Sequence, residues 1–363
     1  MICGDEWMKF DDVLVIKNGR NQKVVENPNG RYPIYGSGGI MGFADDYICE
    51  ADTVVVGRKG SINNPIFVEE PFWNVDTAFG LTAKRDVLLP RYLYYFCRNF
   101  NFEQLNKTVT IPSLTKSDLL KIDITLPTLD IQQKIVDRLF KVEQIIQLRK
   151  QQLQKLDELV KARFVELFDA SSADKCTKRI KDYAEVLGGY AFKSDLFCTD
   201  AVPVIRISNI NNGRVELDDS ICFDKMFWEQ NKRFRAEQND ILMAMSGATT
   251  GKAGIYKEDI PALINQRVAC IRAKDGIACP MFLFVATQLE WMYDLIQETS
   301  AGCAQPNISG KQIENMPVPE TTYEQQKQFA AFVKQTDKSK LAVQQSLDRL
   351  ELLKKALMQK YFG

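Results

Sequence analysis

Residues 131–168, IQQKIVDRLFKVEQIIQLRKQQLQKLDELVKARFVELF, and residues 324–362, EQQKQFAAFVKQTDKSKLAVQQSLDRLELLKKALMQKYF, decide the architecture of this chain. In the first, Leu139, Val142, Ile146, Arg149, Leu153, Leu156, Val160, Arg163 and Leu167 step alternately by three and four residues. Val333, Thr336, Lys340, Val343, Leu347, Leu350, Lys354, Leu357 and Tyr361 do the same in the second. That spacing keeps one stripe facing a partner helix, so the two stretches are expected to pair as a coiled coil. The polar members, Arg149, Arg163, Thr336, Lys340 and Lys354, weaken the stripe and can set its register.

The two stretches are copies. A shift of about 194 positions places Leu153 on Leu347, Leu156 on Leu350, Ala162 on Ala356 and Phe168 on Phe362. The globular segments before them repeat too. Asp12 and Gly19 fall on Asp182 and Gly189, and Tyr32-Pro33-Ile34 on Val202-Pro203-Val204, at an offset of 170. Ala83-Lys84 meets Ala273-Lys274 at 190, and Ile111-Pro112-Ser113-Leu114-Thr115 meets Gln305-Pro306-Asn307-Ile308-Ser309 at 194. The growing offset reads as surface-loop insertions in the second copy. The fold expected is α+β: two pseudo-symmetric α/β domains, 1–130 and 169–323, separated by a long antiparallel two-helix coiled coil, 131–168 and 324–363. Antiparallel pairing follows because the end of the first helix and the start of the second adjoin the same domain.

Composition narrows the chemistry. The 363 residues carry 47 basic and 47 acidic side chains and no histidine. Without histidine the commonest general base and the Ser-His and Cys-His schemes are gone. The nine cysteines form no C-x-x-C pair, which suggests scattered thiols in a reducing cytoplasm rather than a zinc site or disulfide framework. No stretch reaches membrane-span length, so no membrane partner is expected. Charge is uneven: the helical stretches hold +3 and +4, the globular units −3 and −4. DNA binding by such a chain needs local basic surface and a partner.

Within each globular unit, Asp52–Val56 and Asp240–Ala244 read as buried strands closed by glycine turns. Leu93–Phe100 and Met281–Trp291 read as helices. Gly247-Ala248-Thr249-Thr250-Gly251-Lys252-Ala253 is one residue short of a P-loop and has Ala253 where a magnesium-binding Ser or Thr belongs. Asn64-Pro65-Ile66-Phe67 lacks the second proline of a methyltransferase tetrad. The polar side chains that remain recur in both copies. They are Ser37, Arg58, Lys59, Ser61, Asn63, Asn64, Asn74 and Thr77 in the first. In the second they are Arg206, Ser208, Asn209, Asn211, Asn212, Thr249, Thr250, Lys252, Asn265, Gln266 and Arg267. Arg and Lys match the major-groove acceptors of guanine, and Asn and Gln the donor–acceptor pair of adenine.

The order of these features, twice over, resembles the specificity subunit of a type I restriction-modification enzyme, across essentially all 363 residues. The resemblance rests on the opening motifs Phe10–Gly19 and Ile180–Gly189, the exits Ile111-Pro112-Ser113-Leu114 and Gln305-Pro306-Asn307-Ile308, and Pro127 and Pro319 before the helices. It implies two target-recognition domains, each reading half of a split, asymmetric double-stranded DNA site, with the helices as a ruler. It implies no catalysis and no cofactor in this chain. Two modification subunits would bring S-adenosylmethionine and methylate adenine, and restriction subunits would bring ATP and magnesium. A coiled-coil scaffold with two protein- or peptide-binding domains is the rival, and a histidine-free hydrolase a distant third.

Overall fold

A computed structural model describes residues 6–106, 112–193, 197, 201–218, 220–300 and 306–363. Ile111 and Gln305 of the two exit motifs lie outside these residues. The long helices run Leu129–Phe168 and Tyr323–Phe362, 40 residues each, or about 60 Å at 1.5 Å per residue. The second opens on a capping box, in which the Thr322 Oγ1 accepts from Gln325 N at 3.3 Å and Gln325 Oε1 from Thr322 N at 3.1 Å, satisfying donors the helix leaves open. Neither helix, nor any other among the described residues, is long and apolar enough to cross a membrane.

The chain divides into two compact units, Met1–Lys150 with Gln345–Gly363, and Gln151–Gln344. Each long helix contributes a segment to each unit, and within each unit the two segments run antiparallel. In unit 1 Lys354 pairs with Glu143 at 2.6 Å and Lys150 with Glu351 at 3.0 Å. In unit 2 Lys340 pairs with Asp157 at 2.5 Å. The lysines of the apolar seam therefore face acids on the opposite helix, which serves register more than stability, because partly exposed pairs contribute about 0–1 kcal/mol. The seam itself is covered at Leu139, Val142, Ile146 and Val160, and at Val333, Thr336, Val343 and Leu347. Towards the end of the first helix the stripe drifts: Leu167 is exposed while Phe164 and Phe168 are buried. A 3.6-residue helix drifts off a strict seven-residue repeat, and the two phenylalanines are claimed by a ring cluster with Phe282 and Phe329. Phe362, the counterpart of Phe168, packs on Tyr92 at a centroid distance of 5.0 Å in unit 1.

Both units are built on one plan. In unit 1 the strands Leu14–Asn18, Ala78–Ala83, Thr53–Gly57 and Ile66–Val68 form an antiparallel sheet in that order. In unit 2 Ala184–Gly188, Val268–Ala273, Ile241–Ala244 and Ala253–Ile255 do the same, extended by Arg214–Val215 and Ile210–Asn211. The middle strand is apolar on both sides because both faces are covered. Val54 and Val56 join the core under the helix Pro90–Asn99, while Val55 joins Cys49, Phe72 and Ala78. Ile241 and Met243 split from Leu242 and Ala244 in the same way. Burial pushes the Cys49 thiol up to about 12, so it is packing material rather than a nucleophile.

A second sheet in each unit contains a parallel pair, Ile34 on Trp73 and Val204 on Leu263. Gly19 and Gly189 lie where the chain crosses this pair. A Cβ on Gly19 would be 1.8 Å from the Val75 carbonyl oxygen, and one on Gly189 would be 2.1 Å from that of Asn265. Close backbone approach, not conformational freedom, requires these glycines. Gln132 and Gln326 are fully buried, and their Oε1 atoms accept from Leu89 N at 2.9 Å and Cys279 N at 2.8 Å. Each ties a long helix to the start of its unit's proline-initiated helix, Pro90–Asn99 or Pro280–Thr287. The stretch Met281–Trp291, expected as one helix, is two: Pro280–Thr287 ends and Glu290–Ser300 begins. Its apolar content is core rather than continuous helix, since Phe282, Leu283, Val285, Ala286 and Leu289 are all buried.

Candidate nucleic-acid interface

The loop that leaves the central strand is pinned identically in the two units. In unit 1 Arg58 N donates to Thr77 O at 2.7 Å, Gly60 N to Pro112 O at 3.2 Å and Leu114 N to Arg58 O at 2.9 Å. In unit 2 Met245 N donates to Arg267 O at 2.9 Å, Gly247 N to Pro306 O at 3.1 Å and Ile308 N to Met245 O at 2.9 Å. Lys59 bridges Ser113 as Ser246 bridges Asn307. Gly60 and Gly247, with φ of +78° and +82°, take the left-handed turn that each loop needs. The backbone is thus held in common, and the side chains on it differ.

In unit 1 this geometry gathers Ser37, Arg58, Lys59, Ser61 and Thr77. A Cβ on Gly57 would be 3.0 Å from Ser37 Cβ and 2.4 Å from Ser61 O, and Arg58 and Lys59 both donate their amides to Thr77 O. Arg58 and Lys59 are exposed, with the Arg58 guanidinium 5.8 Å over the Phe79 ring. Asn64 is exposed on the same loop. In unit 2 the turn at Gly247 lies against Ile207, 3.9 Å from a Cβ placed there, which brings Arg206 and Ser208 to the loop. Lys252, Gln266 and Arg267 are exposed, and Asn265 is half-buried. The Asn265 Oδ1 accepts from Arg267 N at 3.2 Å and so shapes the turn that presents Arg267. Arg206 Nε, Ser246 Oγ and Thr249 Oγ1 are buried atoms with no hydrogen-bond partner among the described residues. Buried polar atoms are normally satisfied, so this loop has binding capacity that its own fold does not use.

Three expected contact residues are withdrawn. Asn74 is fully buried; its Nδ2 donates to Ala78 O at 3.2 Å and its Oδ1 accepts from Cys49 Sγ at 3.4 Å. It lies opposite Ile264 in the repeat, not opposite Asn265, because Tyr35–Asn74 and Ile205–Ile264 are the matched parallel pairs. Asn209 is buried and braces its turn through Arg206 N at 3.0 Å and Glu216 O at 2.9 Å. Thr250 is buried, and its hydroxyl donates to Gly247 O and Pro306 O. Two others are exposed but employed. Both amide ends of Asn63 hold the Asn101–Phe102 turn, at 2.9 and 2.7 Å. Asn211 Nδ2 donates to Ser208 O at 3.1 Å, next to a hairpin in which Asn212 and Gly213 have φ of +47° and +76°.

Arg20 and Tyr190, not among the expected contact residues, lie at matched places beside these turns. Arg20 N donates to Asn74 O at 2.9 Å, and Tyr190 N to Ile264 O at 2.8 Å, while Gln266 N returns to Tyr190 O at 2.9 Å. Both side chains are exposed and flank the turns that carry Thr77 and Arg267. Their sequence signal is adjacency to Gly19 and Gly189. Ser246 was missed because its counterpart, Lys59, differs in type.

The two units thus share matched, divergent polar loops on duplicated sheets, each with a pair of helix segments. The type I restriction modification DNA specificity domain matches residues 4–158 and 173–352. The chain belongs to that family, the specificity subunits of type I restriction-modification enzymes, whose part is DNA recognition without catalysis of their own. It is 24% identical to the EcoBI specificity subunit of Escherichia coli, over 99% of this chain and 86% of that one. It is 22% identical to the MjaVIII specificity subunit of Methanocaldococcus jannaschii, over 85% and 75%. The fold is similar to that of the type I system S subunit from M. genitalium, with a TM-score of 0.62, 16% identity, and coverage of 100% of this chain and 98% of that chain.

Proposed function

We propose that each unit reads one half of a bipartite, asymmetric DNA site and that the paired helices set the spacer between the halves. The observation that carries this is the pair of identically pinned loops bearing different side chains. Arg58, Lys59, Ser37, Ser61, Asn64 and Thr77 serve one half-site, and Arg206, Ser208, Thr249, Lys252, Asn265, Gln266 and Arg267 the other. Identical pinning with different donors reads different bases, so the site is not palindromic. The chain directs adenine methylation by two modification subunits and cleavage by restriction subunits, which also supply the positive surface that its acidic globular units lack. Exchange of residues 180–320 for those of a relative tests this. The methylated motif of the assembled chimera should change in one half and keep the other, and a heptad inserted in the first helix should lengthen the spacer and leave base identity alone. A domain exchange that altered both halves would end the proposal.

A further inference from the structure

One connection is longer in unit 2 than in unit 1. Between the paired strands Tyr32–Gly36 and Val202–Ile205 and the central strands Thr53–Gly57 and Ile241–Ala244, the offset between copies grows from 170 to 187 residues. Gly42–Ala44 match Ile221–Phe223 at an offset of 179, so nine of the added residues precede Ile221 and eight lie in the segment that holds the helix Lys225–Gln230 and the short turn Lys232–Phe234. This segment holds Lys225, Lys232, Arg233 and Arg235 against Asp224 and Glu229, a basic island on an acidic unit.

The island is fixed beside the reader turn. The Tyr190 ring contacts Phe227 at 4.8 Å and Phe234 at 5.2 Å between centroids, and Tyr190 O accepts from Gln266 N at 2.9 Å. Arg235 is spent on holding the segment together: its guanidinium lies 4.0 Å over the Trp228 ring and donates to Trp228 O at 2.7 Å and Glu229 O at 2.6 Å. Of the nearby acids, Glu229 is exposed and the other three are committed. Asp224 caps Met226 N at 2.8 Å, and Glu237 and Asp240 both pair with Arg272. Lys232 and Arg233 are exposed on a turn braced from both ends, with no ion pair to any described residue, so their charge is not neutralised within the fold.

We infer that Lys232 and Arg233 form a phosphate clamp that grips the DNA backbone beside the half-site read by Asn265, Gln266 and Arg267. This rests on the DNA-reading function proposed above and adds to it a division of labour. Base choice lies with the turn at Arg267, and sequence-independent grip lies with a connection that is eight residues longer in unit 2 and carries a helix there. A cation that neutralises one phosphate changes the slope of log K against log salt by about 0.9 on duplex DNA, whereas a base-reading side chain changes which sequence binds.

The experiment is fluorescence anisotropy of the full chain assembled with its modification subunits, on a labelled duplex carrying the motif that the complex methylates, across a series of KCl concentrations. The Lys232→Ala/Arg233→Ala variant should lower the slope by about 1.8, weaken binding, and leave the methylated motif unchanged. Lys232→Arg/Arg233→Lys should restore the slope. Near-ultraviolet circular dichroism of the aromatic cluster confirms that the segment stays folded. A variant with the unaltered slope, or with altered base preference in either half-site, overturns the clamp while the reading function stands. If the unsubstituted complex shows neither sequence preference nor salt-dependent affinity, the reading function falls and the clamp with it.

Discussion

The repeat supplies its own test of one buried ion pair. In unit 2 the Arg272 Nε and Nη2 donate to Asp240 Oδ1 and Oδ2 at 2.9 and 2.6 Å. Nη1 donates to Glu237 at 2.8 Å and Nη2 also to Arg235 O at 3.0 Å. Asp240 is 3% exposed, and its hydrogen bonds hold the Arg272 guanidinium well above its ordinary pKa. The matched positions in unit 1 are Thr53 and Thr82, whose hydroxyls meet at 3.0 Å. Arg272→Thr leaves a buried carboxylate held by Glu237 N and the Cys270 thiol alone, which should cost about 3–5 kcal/mol. Asp240→Thr strands the guanidinium and should cost somewhat less, because Arg272 keeps Glu237 and Arg235 O. The double variant recreates a neutral pair of the unit 1 type, so its loss should be about 1–2 kcal/mol. The coupling energy of the cycle should therefore exceed about 2 kcal/mol. Two compact units need not unfold together, so the measurement is native-state hydrogen exchange resolved by peptide. Protection should fall along Ile241–Ala244 and Val268–Ala273 and hold along Thr53–Gly57 and Ala78–Ala83. Additive single losses, or a loss under about 1 kcal/mol for Arg272→Thr, would refute the reasoning.

Arg267→Ala should weaken binding by the assembled complex by about 1–3 kcal/mol and relax bases in one half-site only, which methylation mapping reads directly; relaxation in both halves would sink the assignment. Gly189→Ala must displace the Asn265 carbonyl and should destabilise unit 2 by about 1–3 kcal/mol, whereas Gly188→Ala, with open space around it, should be close to neutral in a thermal melt. Burial pushes the Tyr256 hydroxyl up to about 12. Between its unfolded value near 10 and 12, the unfolded chain releases this proton while the folded one keeps it, so stability falls as pH rises. Tyr256→Phe should flatten that fall in denaturant titrations, and an unchanged pH dependence would count against it.

The long helices were legible because periodicity is local. A stripe stepping by three and four residues over 29 positions has few other uses, and a second copy repeats the signal. Duplication likewise exposed the glycine turns and the strands that both copies share. The interface was only partly legible, because a side chain's polarity does not reveal which way it faces. Asn74, Asn209 and Thr250 are polar, as Arg267 is, but tertiary packing turned them inward to satisfy buried backbone groups. Residue type also hid the equivalence of Lys59 with Ser246 and of Arg20 with Tyr190, since the matched turns share backbone hydrogen bonds rather than side chains. The sequence by itself determined the repeat, the paired helices and the absence of histidine chemistry. Only the tertiary structure decided which polar residues reach solvent, because burial is set by contacts between strands far apart in the chain.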